Sequence, residues 1–80
     1  MYFVYVLLSL KDKKHYTGFT NNLSDRIKRH LNGRVVCTKN RRPLKLIYYE
    51  AYLKKINAQK QELFYKTGQG RRVLNKRLKD

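Results

Sequence analysis

The chain has no tryptophan, one cysteine, one proline and few acids: its 80 residues carry five Asp and Glu against twenty Lys and Arg. With Cys37 alone no internal disulfide can form, and one Cys with two His falls short of an ordinary structural zinc site. The longest apolar run, Tyr2 to Leu8, is too short to span a bilayer, and no basic segment precedes it as in a signal peptide. No membrane partner is expected, and a cytoplasmic protein is. The scarcity of acids leaves a formal net charge of +15 and a pI near 10.3. Such a field draws polyanions, and nucleic acid is the commonest of these in a cell. Charge does not separate DNA from RNA, or binding from catalysis.

Eighty residues make one small domain with a single modest core. Tyr2 to Leu8 is apolar on both alternating sets, which predicts a central strand covered on both faces. Lys11 to Lys14 reads as a polar turn, and His15 to Thr20 as a second strand completing an antiparallel hairpin. Tyr5 then shares a face with Phe3 and Leu7. Asn22 with Asp25 resembles a capping box. Leu23, Ile27 and Leu31 form an apolar stripe that predicts a helix over 23–32, with Gly33 as its C-terminal cap. Arg26 and His30, four apart, share a face at the border of that stripe. Residues 34–43 form a basic loop and Leu44 to Tyr52 a third strand. A second helix runs from about Lys54 to Thr67, closed by Gly68, and a last short helix follows Gly70, from Arg71 to Lys79. The order β-β-α-β-α-α predicts an α/β (α+β) domain over 1–80, a small three-stranded antiparallel sheet flanked by helices.

From Leu53 to Lys79 there are nine Lys or Arg and one acid, Glu62. Glu62 can pair with Lys66 one turn on, or hold a divalent cation over a phosphate. Taken singly, Tyr5 and Tyr16 read as strand aromatics, Arg26 as a surface residue and His30 as a helix-border residue.

Their joint spacing reads differently. Phe3-Val4-Tyr5, ten intervening residues, Tyr16-Thr17-Gly18, then Arg26 ten past the second Tyr and His30 four beyond it, resembles the GIY-YIG nuclease family. Ala58-x-x-x-Glu62-x-x-x-Lys66-Thr67-Gly68 falls where that family has its metal-binding glutamate. The resemblance covers essentially the whole chain and is closest to the small single-domain members. Phe3 stands where the family has Gly and Thr17 where it has Ile, both scaffold positions. Gly18 and Asn75 are further candidates.

The resemblance implies metal-dependent hydrolysis of a DNA phosphodiester, as in repair or recombination, with RNA not excluded. Glu62 would hold one Mg²⁺ or Mn²⁺. Arg26 would fork onto a phosphate oxygen. One of Tyr5 and Tyr16 would take the proton of the attacking water, which requires a phenol more acidic than usual, helped by metal, Arg26 and the positive field. The other would orient water or phosphate. His30 would bond a tyrosine or phosphate, or shuttle a proton. Lys39, Arg41, Arg42, Arg71 and Arg72 are candidate nucleic-acid contacts. So small a domain leaves substrate choice to a possible protein partner. The alternatives are a non-catalytic nucleic-acid-binding module with a nuclease fold, and an RNA-bound protein.

Overall fold

The apolar run at the start of the chain takes the middle of the sheet. In the computed structural model, which describes residues 1–79, β1 (Tyr2–Ser9) pairs antiparallel with β2 (His15–Thr20) and with β3 (Leu44–Tyr52), in the order β2-β1-β3. Val4 to Leu7 are all buried, because alternate side chains meet helices on opposite faces. Tyr5 and Leu7 pack with Leu44, Leu23 and Ile27 on one face. Val4 and Val6 pack with Ala58, Tyr65 and Leu74 on the other.

The helix after the hairpin, α1 (Leu23–Leu31), starts where Asn22 Oδ1 accepts the Asp25 amide at 3.2 Å. It stops at Gly33, whose φ of +74° is a left-handed turn open to glycine. The predicted stripe is corrected in its last member. Leu31 is 47% exposed and His30 is fully buried in its place. The inward set is 23, 27 and 30, and residue 31 falls about 100° further round the helix.

Two more expectations are corrected. The basic loop 34–43 contains a one-turn helix, α2 (Val36–Lys39), with Val35 and Thr38 buried beneath it. Four residues are too few to show a period, and Val35-Val36 reads against helix. The second helix, α3 (Lys55–Tyr65), ends before Gly68, and α4 (Gly68–Leu78) begins at that glycine rather than at Arg71. Thr67 is the signal: its Oγ1 accepts the Gly70 amide at 3.0 Å and caps α4.

A half-buried carboxylate holds α3 and α4 against the sheet. Glu50, on the α3 side of β3, accepts hydrogen bonds from the phenols of Tyr48 (2.6 Å), Tyr52 (2.5 Å) and Tyr65, with Arg77 Nη1 at 3.8 Å. Burial alone would raise the Glu50 carboxyl, but the three phenols outweigh it and its pKa falls. The same carboxylate, with burial, pushes the Tyr52 and Tyr65 phenols up.

The α3–α4 corner gives a sharp test. A Cβ on Gly70 would lie 1.7 Å from the Phe64 carbonyl oxygen, a backbone atom that cannot step aside, whereas one on Gly68 would meet nothing within 4 Å. Gly70→Ala is expected to cost about 3 kcal/mol or more in urea unfolding. Gly68→Ala should stay within about 0.5 kcal/mol of the parent.

Candidate active site

Tyr5 sits in mid-β1 opposite Gly18 of β2. Its ring runs sideways across that glycine: a Cβ there would lie 2.4 Å from Tyr5 Cζ and Oη. Only glycine lets the phenol cross the edge strand. Tyr5 Oη then lies 2.8 Å from His30 Nε2 and accepts from Arg26 Nε at 3.4 Å. His30 Nδ1 in turn lies 2.7 Å from Thr38 Oγ1. Tyr5, His30 and Thr38 are completely buried, while Arg26 is half-buried. Tyr16, also half-buried, sets its ring 5.3 Å from the imidazole and 6.5 Å from the Tyr5 ring, centroid to centroid.

The electrostatics follow from that burial. His30 is pushed down to about 4 by loss of water, with the Arg26 charge adding to the effect; at neutral pH it is an uncharged imidazole. Burial pushes the Tyr5 phenol up. The Arg26 hydrogen bond opposes this, and the nearby charges of Tyr16 and Glu62 add to it. The expectation that Arg26 and the positive field acidify the tyrosines is thus corrected for Tyr5. In the protein by itself desolvation wins, because an anion with no water near it is costly.

Glu62 lies on α3, and its charge is the smallest of the influences on the Tyr5 phenol. Its side chain is 20% exposed and Lys66 Nζ lies 3.1 Å from Oε2. Its ion pair with Lys66 sets it beside a residue that lines the cleft next to Tyr16. No cluster of three or more His, Cys, Asp or Glu exists among the described residues. A cation here would rest on one carboxylate, with waters and phosphate completing its shell, the usual manner of Mg²⁺.

Beside Tyr16 a cleft of about 740 Å³ opens between β2 and the α3–α4 corner, lined in part by Lys13, Lys14, Lys66, Arg71 and Asn75. Arg71 and Asn75, expected from sequence, thus stand next to Tyr16. Lys39 and Arg42 lie apart, lining a depression of about 530 Å³ with Lys11. Arg42 donates to the Lys39 carbonyl at 3.1 Å. Arg41 is drawn into an ion pair with Asp12 at 2.8 Å, which holds the Asp12 carboxyl well below the usual range. Arg72 is exposed on α4 and lines neither hollow. Thr38 was missed from sequence, since nothing in a basic loop marks one threonine as buried. Lys13 and Lys14 were read as part of a polar turn and Lys66 as the partner of Glu62, a pairing the structure shows, but none of the three was marked as a cleft cation.

Comparison with known proteins agrees with this geometry. The family described as the GIY-YIG catalytic domain matches residues 1–77. A UPF0213 protein of Clostridium perfringens is 46% identical over 82% of this chain and 71% of its own length. The UPF0213 protein YazA of Bacillus subtilis is 39% identical over 81% of this chain and 66% of its own. The solution NMR structure of a UPF0213 protein from Bacillus halodurans superposes with a TM-score of 0.58 at 31% identity, covering 95% of this chain and 84% of that one. No helix among the described residues is long and apolar enough to cross a membrane.

The buried imidazole has a measurable consequence. Folded His30 titrates near pH 4, and an unfolded histidine near 6.5, so the unfolded chain takes the proton first. The stabilisation is complete above about pH 6.5 and is lost as pH falls toward 4. The urea-unfolding free energy is expected to drop by on the order of 2 kcal/mol across this window. His30→Gln should flatten it there, while Glu50, with its lowered carboxyl, acts only below about pH 4.5.

Proposed function

The chain belongs to the GIY-YIG family, and from that premise we propose that it is a divalent-metal-dependent endonuclease that nicks DNA. The observation that carries this reading is the meeting of Tyr5, Tyr16, Arg26 and His30 from β1, β2 and α1, with Glu62 of α3 paired to a lysine of the cleft beside Tyr16. The +15 charge supports a polyanionic substrate. The cationic cleft beside Tyr16 supports a course for the strand next to the scissile phosphate.

The roles follow from residue chemistry. Glu62 would supply the oxygen ligand for Mg²⁺ or Mn²⁺, and Lys66 would then be free for the phosphate. A cation bound there would draw charge from the phosphate and from the leaving oxygen. Arg26 forks onto a non-bridging oxygen as negative charge builds. Tyr5, whose raised phenol keeps its proton, suits the part of a donor to that oxygen. Tyr16 is then the tyrosine left to take the proton of the attacking water. The water oxygen bonds to phosphorus as its proton passes to Tyr16 in its phenolate form, the phosphorus–oxygen bond on the far side breaks, and the leaving oxygen takes a proton from solvent. One such centre makes one nick per encounter.

The test is incubation of the purified protein with branched, single-stranded and duplex DNA, with and without Mg²⁺ or Mn²⁺. Metal-dependent nicking of at least one substrate is expected. Glu62→Gln and Arg26→Ala should each lower the rate about a hundredfold or more. Arg71→Ala should weaken DNA binding uniformly across sequences and lower the salt slope by about one. Salt-sensitive binding that ignores Glu62→Gln, with no cleavage of any substrate, would identify a binding module on a nuclease fold instead.

A further inference from the structure

The buried chain Arg26–Tyr5–His30–Thr38 satisfies every heavy atom, yet its hydrogens do not balance. Arg26 is a donor only and gives to Tyr5 Oη at 3.4 Å. Two contacts remain, Tyr5 to His30 at 2.8 Å and His30 to Thr38 at 2.7 Å. A neutral imidazole brings one hydrogen and one lone pair, and the two hydroxyls bring a hydrogen each. Three hydrogens serve two contacts, so one hydroxyl hydrogen is left over at one end of the chain.

Which end keeps it depends on the tautomer. With the proton on Nδ1, Tyr5 donates inward to Nε2 and the surplus hydrogen falls on Thr38. That threonine is completely buried, and among the described residues Oγ1 has no hydrogen-bond partner besides His30. The hydrogen would stay unpaired, a costly arrangement. With the proton on Nε2, Thr38 donates to Nδ1, His30 donates to Tyr5, and the surplus hydrogen is the phenol's own. The phenol is as buried as Thr38, but this end of the chain meets half-buried Arg26, the one member open to solvent, with Tyr16 beside it. A ligand oxygen arriving there supplies the missing acceptor and finds a guanidinium beside it. Protonation of both ring nitrogens would only add to the surplus, and loss of water around His30 disfavours it.

We propose that Thr38 fixes His30 as the Nε2–H tautomer, so that Tyr5 presents its phenol proton to an anionic ligand oxygen shared with Arg26. Thr38 is on this view a positioning residue. The tautomer rests on the protein alone; that the oxygen belongs to a phosphodiester rests on the nuclease reading above. Both hydrogen bonds onto Tyr5 Oη polarise its own O–H, which makes it a stronger donor to the arriving oxygen.

The experiment is ¹⁵N NMR of the His30 imidazole, with inorganic phosphate as the probe. The free protein is expected to carry the proton on Nε2 and a lone pair on Nδ1. Added phosphate should shift the Tyr5, Arg26 and His30 signals together. Thr38→Ser, which keeps the hydroxyl, should preserve both results. Thr38→Val should release the proton from Nε2 and weaken phosphate binding about tenfold. A proton on Nδ1 in the unaltered protein overturns the proposal, and that reading needs no variant to fold. A folded Thr38→Val protein with the original tautomer and unchanged phosphate binding overturns it as well. Absence of DNA cleavage alongside an Nε2 proton would sink the nuclease reading and leave the Thr38 assignment standing.

Discussion

The passage of one phenol over one glycine sets the rest of the site. Tyr5 belongs to the central strand and would end among apolar side chains if β2 carried a side chain at residue 18. Because Gly18 leaves that space open, the hydroxyl emerges beneath α1, where His30 and Arg26 wait one helical turn apart. The close approach turns a core aromatic into a polar centre with no water around it. Everything electrical there follows: a neutral imidazole, a phenol that holds its proton, and a guanidinium at the margin facing solvent.

The opposite face of the sheet does the complementary task. Glu50 gathers Tyr48 and Tyr52 from its own strand, Tyr65 from α3 and Arg77 from α4. This fixes the two helices that carry Glu62, Lys66, Arg71 and Asn75. A carboxylate with three phenol donors is rigid, since removing any donor exposes a half-buried charge. The arrangement is directional: a polar pin at the β3 side of α3, an apolar middle of Val4, Val6, Ala58 and Leu74, and a cationic cleft at the β2 side. Net charge repels the helices from one another, so the pin has repulsion to resist as well as solvent.

Much of this was legible in the chain. The both-faced apolar run marked β1 as central, Asn22 and Gly33 bracketed α1, and the spacing from Tyr5 to His30 named the family and four residues that the fold brings together. Glu62 was recoverable as the lone acid in a basic stretch. What stayed hidden has physical reasons. His30 read as a border residue because its burial depends on a partner, Thr38, in a four-residue helix too short for any period. The start of α4 was hidden because glycines at its first turn look like a terminator, and only the packing of Gly70 against Phe64 shows why one of them is there. Glu50 went unremarked within the third strand, since three tyrosines spread over 18 residues do not announce a common acceptor. Arg41 and Arg42 looked like free cations and are largely spent on Asp12 and a backbone carbonyl.

The most direct measurement is a structure of the protein with Mn²⁺ and a short oligonucleotide carrying a non-cleavable linkage. One phosphate oxygen is expected within hydrogen-bond reach of both Tyr5 Oη and the Arg26 guanidinium, with Mn²⁺ on Glu62 touching the same phosphate and Lys66 turned away from the carboxylate. A nucleic acid seated along Lys39 and Arg42 with Tyr5 untouched, or Glu62 still paired to Lys66 with no metal beside it, would contradict the assignment of this centre to phosphodiester cleavage.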